Sequence, residues 1–313
     1  MKARFAVSLV AIVGLLALTG CKLFKGGSGS SAVESDKAKE TMSYYAKGYN
    51  ALIKGPEDMI KEYYDKIPSK EGPDVSKKIN LFPRQNFATN DIKEAKEAFA
   101  QAKDMAPKEL QHLGTFADEC MKQMDTILPT FEEAYKYYQA EDYKDDKGAK
   151  AKALHEQFVK AVDAYDAAIK KFDEELAKVE EIQDASEIKK YEGDKNYSYW
   201  FRMYNLEAKH ALNASKGEDL APFLEQYKKL EAAHAQIESF SKTKGDKINS
   251  VFKSYMGNVD EYYGIAKKLN RAIEEKANED QMDRLKDDLL SWYNNLVGMT
   301  DSLYSMESSG LLK

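Results

Sequence analysis

The 313-residue chain lacks most of what marks a secreted β-module or a metal enzyme. It has only 2 cysteines, Cys21 and Cys120, too few for a disulfide framework. It has only 7 prolines beside abundant alanine, lysine and glutamate, a composition that leans to helix and against a β-rich fold. The 4 histidines, His112, His155, His210 and His234, lie far apart, without H-E-x-x-H or a second ligand at zinc spacing. G-x-S-x-G, C-x-x-C and glycine-rich phosphate loops are missing. Ser241-Lys242-Thr243-Lys244 satisfies S-x-x-K, but the S-D-N and K-T-G that accompany it in penicillin-binding enzymes are absent. The acids at 141–142, 145–146 and 279–280 do not form a calcium loop and read as solvated connections. With a net charge of −6 and no basic block, nucleic acid is not an expected partner. No catalytic residue, metal ligand or cofactor is therefore expected, and the chain reads as a non-enzyme. A helical hydrolase is the remotest alternative.

The longest uncharged apolar run, Phe5–Leu18, is short of the roughly 20 residues that span a bilayer. It follows Lys2 and Arg4 and ends in Leu18-Thr19-Gly20-Cys21. This layout is that of a secretory signal, and its last four residues resemble the bacterial lipobox. Residues 1–20 are thus expected to be removed and Cys21 to carry lipid. One acyl chain holds a membrane only marginally, whereas two or more hold firmly. Lipoproteins of this kind carry several, palmitate among them. Lys22 follows the cysteine in place of an inner-membrane aspartate, which favours the outer membrane facing the periplasm, with the cell surface as the alternative. Residues 21–34, with Gly26-Gly27-Ser28-Gly29-Ser30-Ser31, read as a flexible tether. Losing Lys2 and Arg4 with the signal takes the charge from −6 to −8. With Cys21 lipidated, Cys120 has no partner, and its apolar neighbours predict a buried, inert thiol.

From 35 to 306 the pattern is helical throughout. Leu110, Leu113, Ala117, Cys120, Met124, Ile127, Phe131, Ala134 and Tyr138 alternate steps of three and four. Ala151–Ile182 repeats with a period near 3.5, as in helices that wrap one another, and would be about 48 Å long. Gly55-Pro56 reads as a stop between helices 36–54 and 57–67, residues 68–90 read as loop, and Asn90 reads as the N-cap of the next helix. Further helices are predicted over 196–213, 218–240, 246–276 and 279–304, with a tail at 307–313. Each has one apolar and one charged face, so the fold class is all-α. The expected architecture is an elongated antiparallel bundle of roughly seven to nine helices, some with coiled-coil-like heptad seams, and a subdivision near Gly193.

Aromatic density is the other positive feature, with 20 tyrosines. Adjacent pairs such as Tyr44-Tyr45 and Tyr262-Tyr263 point about 100° apart on a helix and cannot form one platform. A Tyr-Asn step recurs at Tyr49-Asn50, Tyr204-Asn205 and Tyr293-Asn294, followed by Asn295. Asparagine inside a helix wants a reason. Hydrogen bonding between core helices is the first reading, and contact with a polar ligand the second.

The stretch 137–150, YYQAEDYKDDKGAK, followed by Leu154-His155, resembles a signature segment of the YiiG-like family of uncharacterised bacterial lipoproteins. Residues 45–52 and 292–296 are similar to that family's first and last helices. The resemblance implies a lipobox followed by one all-helical domain, and it brings no catalytic residues. The expected function is a non-enzymatic scaffold or protein-binding module in the bacterial envelope. It is held to the membrane by its N-terminal lipid, has an envelope protein or ligand as partner, and is long enough to oligomerise. The alternative is a lipoprotein binding a small ligand or glycan on tyrosine-rich surfaces.

Overall fold

A computed structural model describes residues 35–68, 72–217 and 219–312. The signal segment, Cys21 and the tether lie outside the described residues. Eight α-helices are present among them: α1 (Asp36–Lys66), α2 (Gln85–Met105), α3 (Gln111–Gln139), α4 (Ala149–Tyr191), α5 (Tyr197–Ser215), α6 (Ala221–Lys244), α7 (Ser250–Glu274) and α8 (Glu279–Ser308). There is no strand among the described residues, and the molecule is an all-α bundle. Among the described residues no helix is long and apolar enough to cross a membrane.

The described residues form two compact units, one ending at Glu180 and the other beginning at Glu181. The division falls inside α4, whereas the sequence pattern places it near Gly193. α4 has 43 residues, more than the 151–182 stretch predicts, and is about 65 Å long.

In the first unit α1 runs antiparallel to α2, with Gly48 against Phe99 and Gly55 against Asp91. α2 runs antiparallel to α3 through Lys103–Asp118. α4 returns against α1, with Phe172 beside Tyr49 and Phe158 beside Tyr63. The second unit repeats this up-down-up-down order. α6 is antiparallel to α5, α7 to α6, and α8 packs on α5 and α7. Asparagine caps start three of its four helices: Asn196, Asn249 and Asn278 accept from the first turns of α5, α7 and α8.

Three boundaries differ from the sequence reading. α1 passes through Gly55-Pro56 without stopping. Proline has no N–H, so the carbonyl four residues earlier loses its helical partner. That carbonyl belongs to Leu52, and Tyr165 Oη of α4 donates to it at 2.8 Å. Gly55 is there for contact, since a Cβ on it would lie 2.4 Å from Asp91 of α2. α2 begins at Gln85, five residues before Asn90, and has no side-chain cap. Burial of Ala88, Ala95, Ala98 and Ala102 holds α2 in place. Finally, the chain after 306 is not a tail. α8 extends to Ser308 and ends in a left-handed Gly310, with Leu311 N–H reaching back to Met306 O and Leu312 buried behind it.

Candidate functional site

The tyrosines singled out by sequence lie inside the bundles. In the second unit α5 and α7 run parallel across the core, and their tyrosines interlock. Tyr204 donates to Val259 O at 3.0 Å, Tyr255 to Phe201 O at 3.2 Å, and Tyr262 to Ala208 O at 2.6 Å. All three rings are fully buried. Tyr255 shares its one hydroxyl proton between Phe201 O and Asn205 Oδ1, the latter closer at 2.6 Å, and Asn205 Nδ2 donates to Thr300 Oγ1 of α8 at 2.7 Å. Asn205 therefore ties three helices together, which is the helix-to-helix role its position predicts. Burial holds the hydroxyls of Tyr204, Tyr255 and Tyr262 well above the ordinary phenol range.

Tyr293 is buried, with its ring 6.2 Å from that of Tyr262. Asn294 is half-buried with an Oδ1 that has no donor, and Asn295 is exposed. Tyr49 lies in the other unit, buried, and donates to Asp173 at 3.2 Å, while Asn50 is half-buried beside it. The three Tyr-Asn steps thus do not converge on one site, and Tyr49, Tyr204 and Tyr293 are not presented as a ring-lined surface.

The histidines are also separate. His155 is buried and stacked near Tyr63, whose hydroxyl lies 3.3 Å from its Nδ1. His234 stacks on Tyr263 at 4.1 Å, with Nε2 2.9 Å from Asp260 Oδ1. His112 and His210 sit near Glu175 and Glu207. No group of His, Cys, Asp and Glu able to hold a metal ion occurs among the described residues. Cys120 is fully buried, and burial pushes its thiol up to about 12, with Glu119 adding to the shift.

The most elaborate charge arrangement is a clamp at the end of α8. Arg202 makes a bidentate pair with Glu307, with Nη2–Oε2 at 2.6 Å and side-chain exposures of 9% and 20%. Its guanidinium lies 4.6–4.7 Å from the ring centres of Tyr191, Phe201 and Tyr304. Nothing in the local sequence pairs residues 202 and 307, so this contact was not foreseen.

One concave feature stands out, also unforeseen. A recess of about 450 Å3 opens to solvent where the start of α5 meets the end of α6. Trp200 and Phe240 form its wall, stacked at 5.7 Å and 30°. Lys195, Gln236, Ser239 and Thr243 supply its polar groups. The Trp200 N–H is buried without an acceptor.

These features define, among the described residues, two all-helical units of four helices each with polar tyrosine cores and no cluster of metal ligands. The chain belongs to the family described as protein of unknown function (DUF3829), whose model matches residues 36–297. It is similar to the uncharacterized protein YiiG of Escherichia coli (strain K12), 25% identical over 260 residues that cover 81% of this chain and 72% of that protein. No solved structure matches it. The kinship read from segment 137–150 therefore holds for the helical domain.

Proposed function

We propose that this protein is a lipid-anchored component of the bacterial envelope that acts as a non-enzymatic scaffold or protein-binding module. The observation that carries the reading is the N-terminal run of Lys2, Arg4, an apolar segment and Leu18-Thr19-Gly20-Cys21. A cysteine at the first mature position offers a thiol for lipid, and the Gly/Ser stretch behind it gives the helical body reach from the membrane. The outer membrane facing the periplasm is the favoured location. Two helical units, each with a buried apolar core and its charged residues mostly outside, suit a body that presents helix faces to an envelope partner.

The test has two arms. Metabolic labelling with an alkyne fatty acid should mark the wild-type chain and leave Cys21→Ser unmarked. Equal labelling of both would overturn the anchor. Crosslinking in intact envelopes, followed by purification and mass spectrometry, should recover a specific protein partner whose yield falls in Cys21→Ser. Recovery of background alone would overturn the scaffold role.

A further inference from the structure

The recess between α5 and α6 lies at the edge of the packed core and opens to solvent. A packed bundle has no need of an open, aromatic-walled hollow. Trp200 and Phe240, forty positions apart, pack with ring centres 5.7 Å apart and planes tilted by 30°, and together give the hollow an apolar wall. Of the lining residues only Lys195 is charged, and no carboxylate lines the hollow, although the chain has more acids than bases. Lys195 Nζ lies 5.8 Å from the ring centre of Tyr199. A second ammonium, that of Lys244, lies 5.0 Å from the ring centres of both Phe240 and Tyr197. The neighbouring Glu238 is taken up by Lys242. Gln236 and Ser239 add hydrogen-bonding groups to the lining. The volume falls in the usual range for small-ligand sites and suits a body of one or two rings.

We propose that this recess binds a small organic anion with a flat apolar body, such as an aromatic or fused-ring carboxylate or sulfonate. The ring body lies on the Trp200–Phe240 wall, and the anionic group faces Lys195 and Lys244. Gln236 and Ser239 hydrogen-bond to its oxygens. Direct pairing of an ammonium with an oxyanion on a partly desolvated face gives the site its preference for charged over neutral ligands. The proposal does not depend on the lipid anchor.

The chain has 2 tryptophans, so Trp292→Phe leaves Trp200 as the sole indole reporter. That full chain is titrated with anilinonaphthalenesulfonate, an anionic fused-ring dye, and in parallel with its uncharged analogue phenylnaphthylamine. Saturable binding of one sulfonate dye per chain is expected, with quenching of Trp200 and weaker binding of the uncharged dye. Lys195→Glu combined with Lys244→Glu should weaken the sulfonate dye by roughly tenfold or more and leave the uncharged dye unchanged. Ala235→Phe, at an exposed position in the recess, fills the hollow without adding an indole and should abolish binding, with helicity by circular dichroism unchanged. Undiminished binding in Ala235→Phe, or equal affinity for the two dyes, would overturn the proposal.

Discussion

The two units solve the same problem, placing tyrosines at the centre of a four-helix bundle, in different ways. In the first unit three hydroxyls answer specific local needs, while those of Tyr45 and Tyr138 are buried without a hydrogen-bond partner. Tyr165 supplies the hydrogen bond that Pro56 withholds from Leu52, Tyr49 meets Asp173, and Tyr63 meets His155. In the second unit the hydroxyls of Tyr204, Tyr255 and Tyr262 reach carbonyls within regular helix, where each is a second donor to an acceptor already served. The use of glycine differs as well. In α1 Gly48 is buried and a Cβ on it would lie 2.3 Å from the Phe99 ring of α2, whereas Gly257, Gly264 and Gly298 lie at exposed or half-exposed positions with nothing within 4 Å of a Cβ. Buried tyrosine thus has two uses: it repairs a gap in a backbone ladder, or it ties together ladders that are already complete.

Both tryptophans, Trp200 and Trp292, belong to the second unit. Tryptophan fluorescence therefore follows that unit alone, while circular dichroism follows both, and the comparison can be tested unit by unit. The largest effect should come from Arg202→Ala. It strands the Glu307 carboxylate among rings and should cost about 3–5 kcal/mol, read as an early fluorescence transition in urea. A loss below about 1 kcal/mol would show that the clamp behaves as a solvated surface pair.

Gly48→Ala should destabilise the first unit by about 1–3 kcal/mol, because the buried Phe99 ring has little room to move. Gly264→Ala in α7 should instead stabilise the second unit by about 0.5–1 kcal/mol, through lower helix-forming entropy cost. Opposite signs in urea titrations would sharpen the contrast, and equal signs would break it.

Tyr165→Phe should cost about 1–2 kcal/mol, since it leaves Leu52 O buried with no donor. Tyr262→Phe should cost only about 0.5–1 kcal/mol, since Ala208 O keeps its helical partner. In a Pro56→Ala background, where the backbone N–H is restored, the cost of Tyr165→Phe should fall to the level of Tyr262→Phe. A double-mutant cycle with no coupling would sink the repair reading.

A further expected effect is on pH dependence and concerns Asp166 on α4. Burial first, and the neighbouring Asp163 second, raise its carboxyl from the ordinary 3.8 to about 6. A raised carboxyl favours the protonated folded form. Its contribution is therefore fully present below pH 3.8 and is lost as the pH rises through about 6. Asp166→Asn should stabilise the first unit on the order of 1 kcal/mol at pH 7 and have no effect at pH 3.5. A pH-independent effect would assign the gain to packing.

Much of the fold was legible because the apolar stripes of 110–138 and 151–182, and of the four helices after Gly193, keep the helical period over many turns. The predicted starts at 196 and 279 fall within a residue of those observed, where Asn196 and Asn278 cap α5 and α8. Gly55-Pro56 misled because its local chemistry says stop, and the donor that overrides it lies 113 residues away. Asn90 misled for the converse reason: a plausible cap lost to the burial of small residues against α1. The Tyr-Asn steps were recognised as unusual, and Asn205 proved to be a core tie. The recess and the Arg202 clamp join residues whose separation carries no periodic signal.

By itself, the sequence determined the all-helical class, the number of helices to within one, the kinship of the helical domain and the buried state of Cys120. These follow from composition, period and short-range capping, which act within a turn or two of helix. Only the tertiary structure decided that α1 runs unbroken through Pro56, that tyrosine hydroxyls face inward, and that Trp200 and Phe240 meet at one hollow. Each of these depends on which helix faces which. That choice is settled by summed burial over whole faces and by distant donors meeting orphaned acceptors.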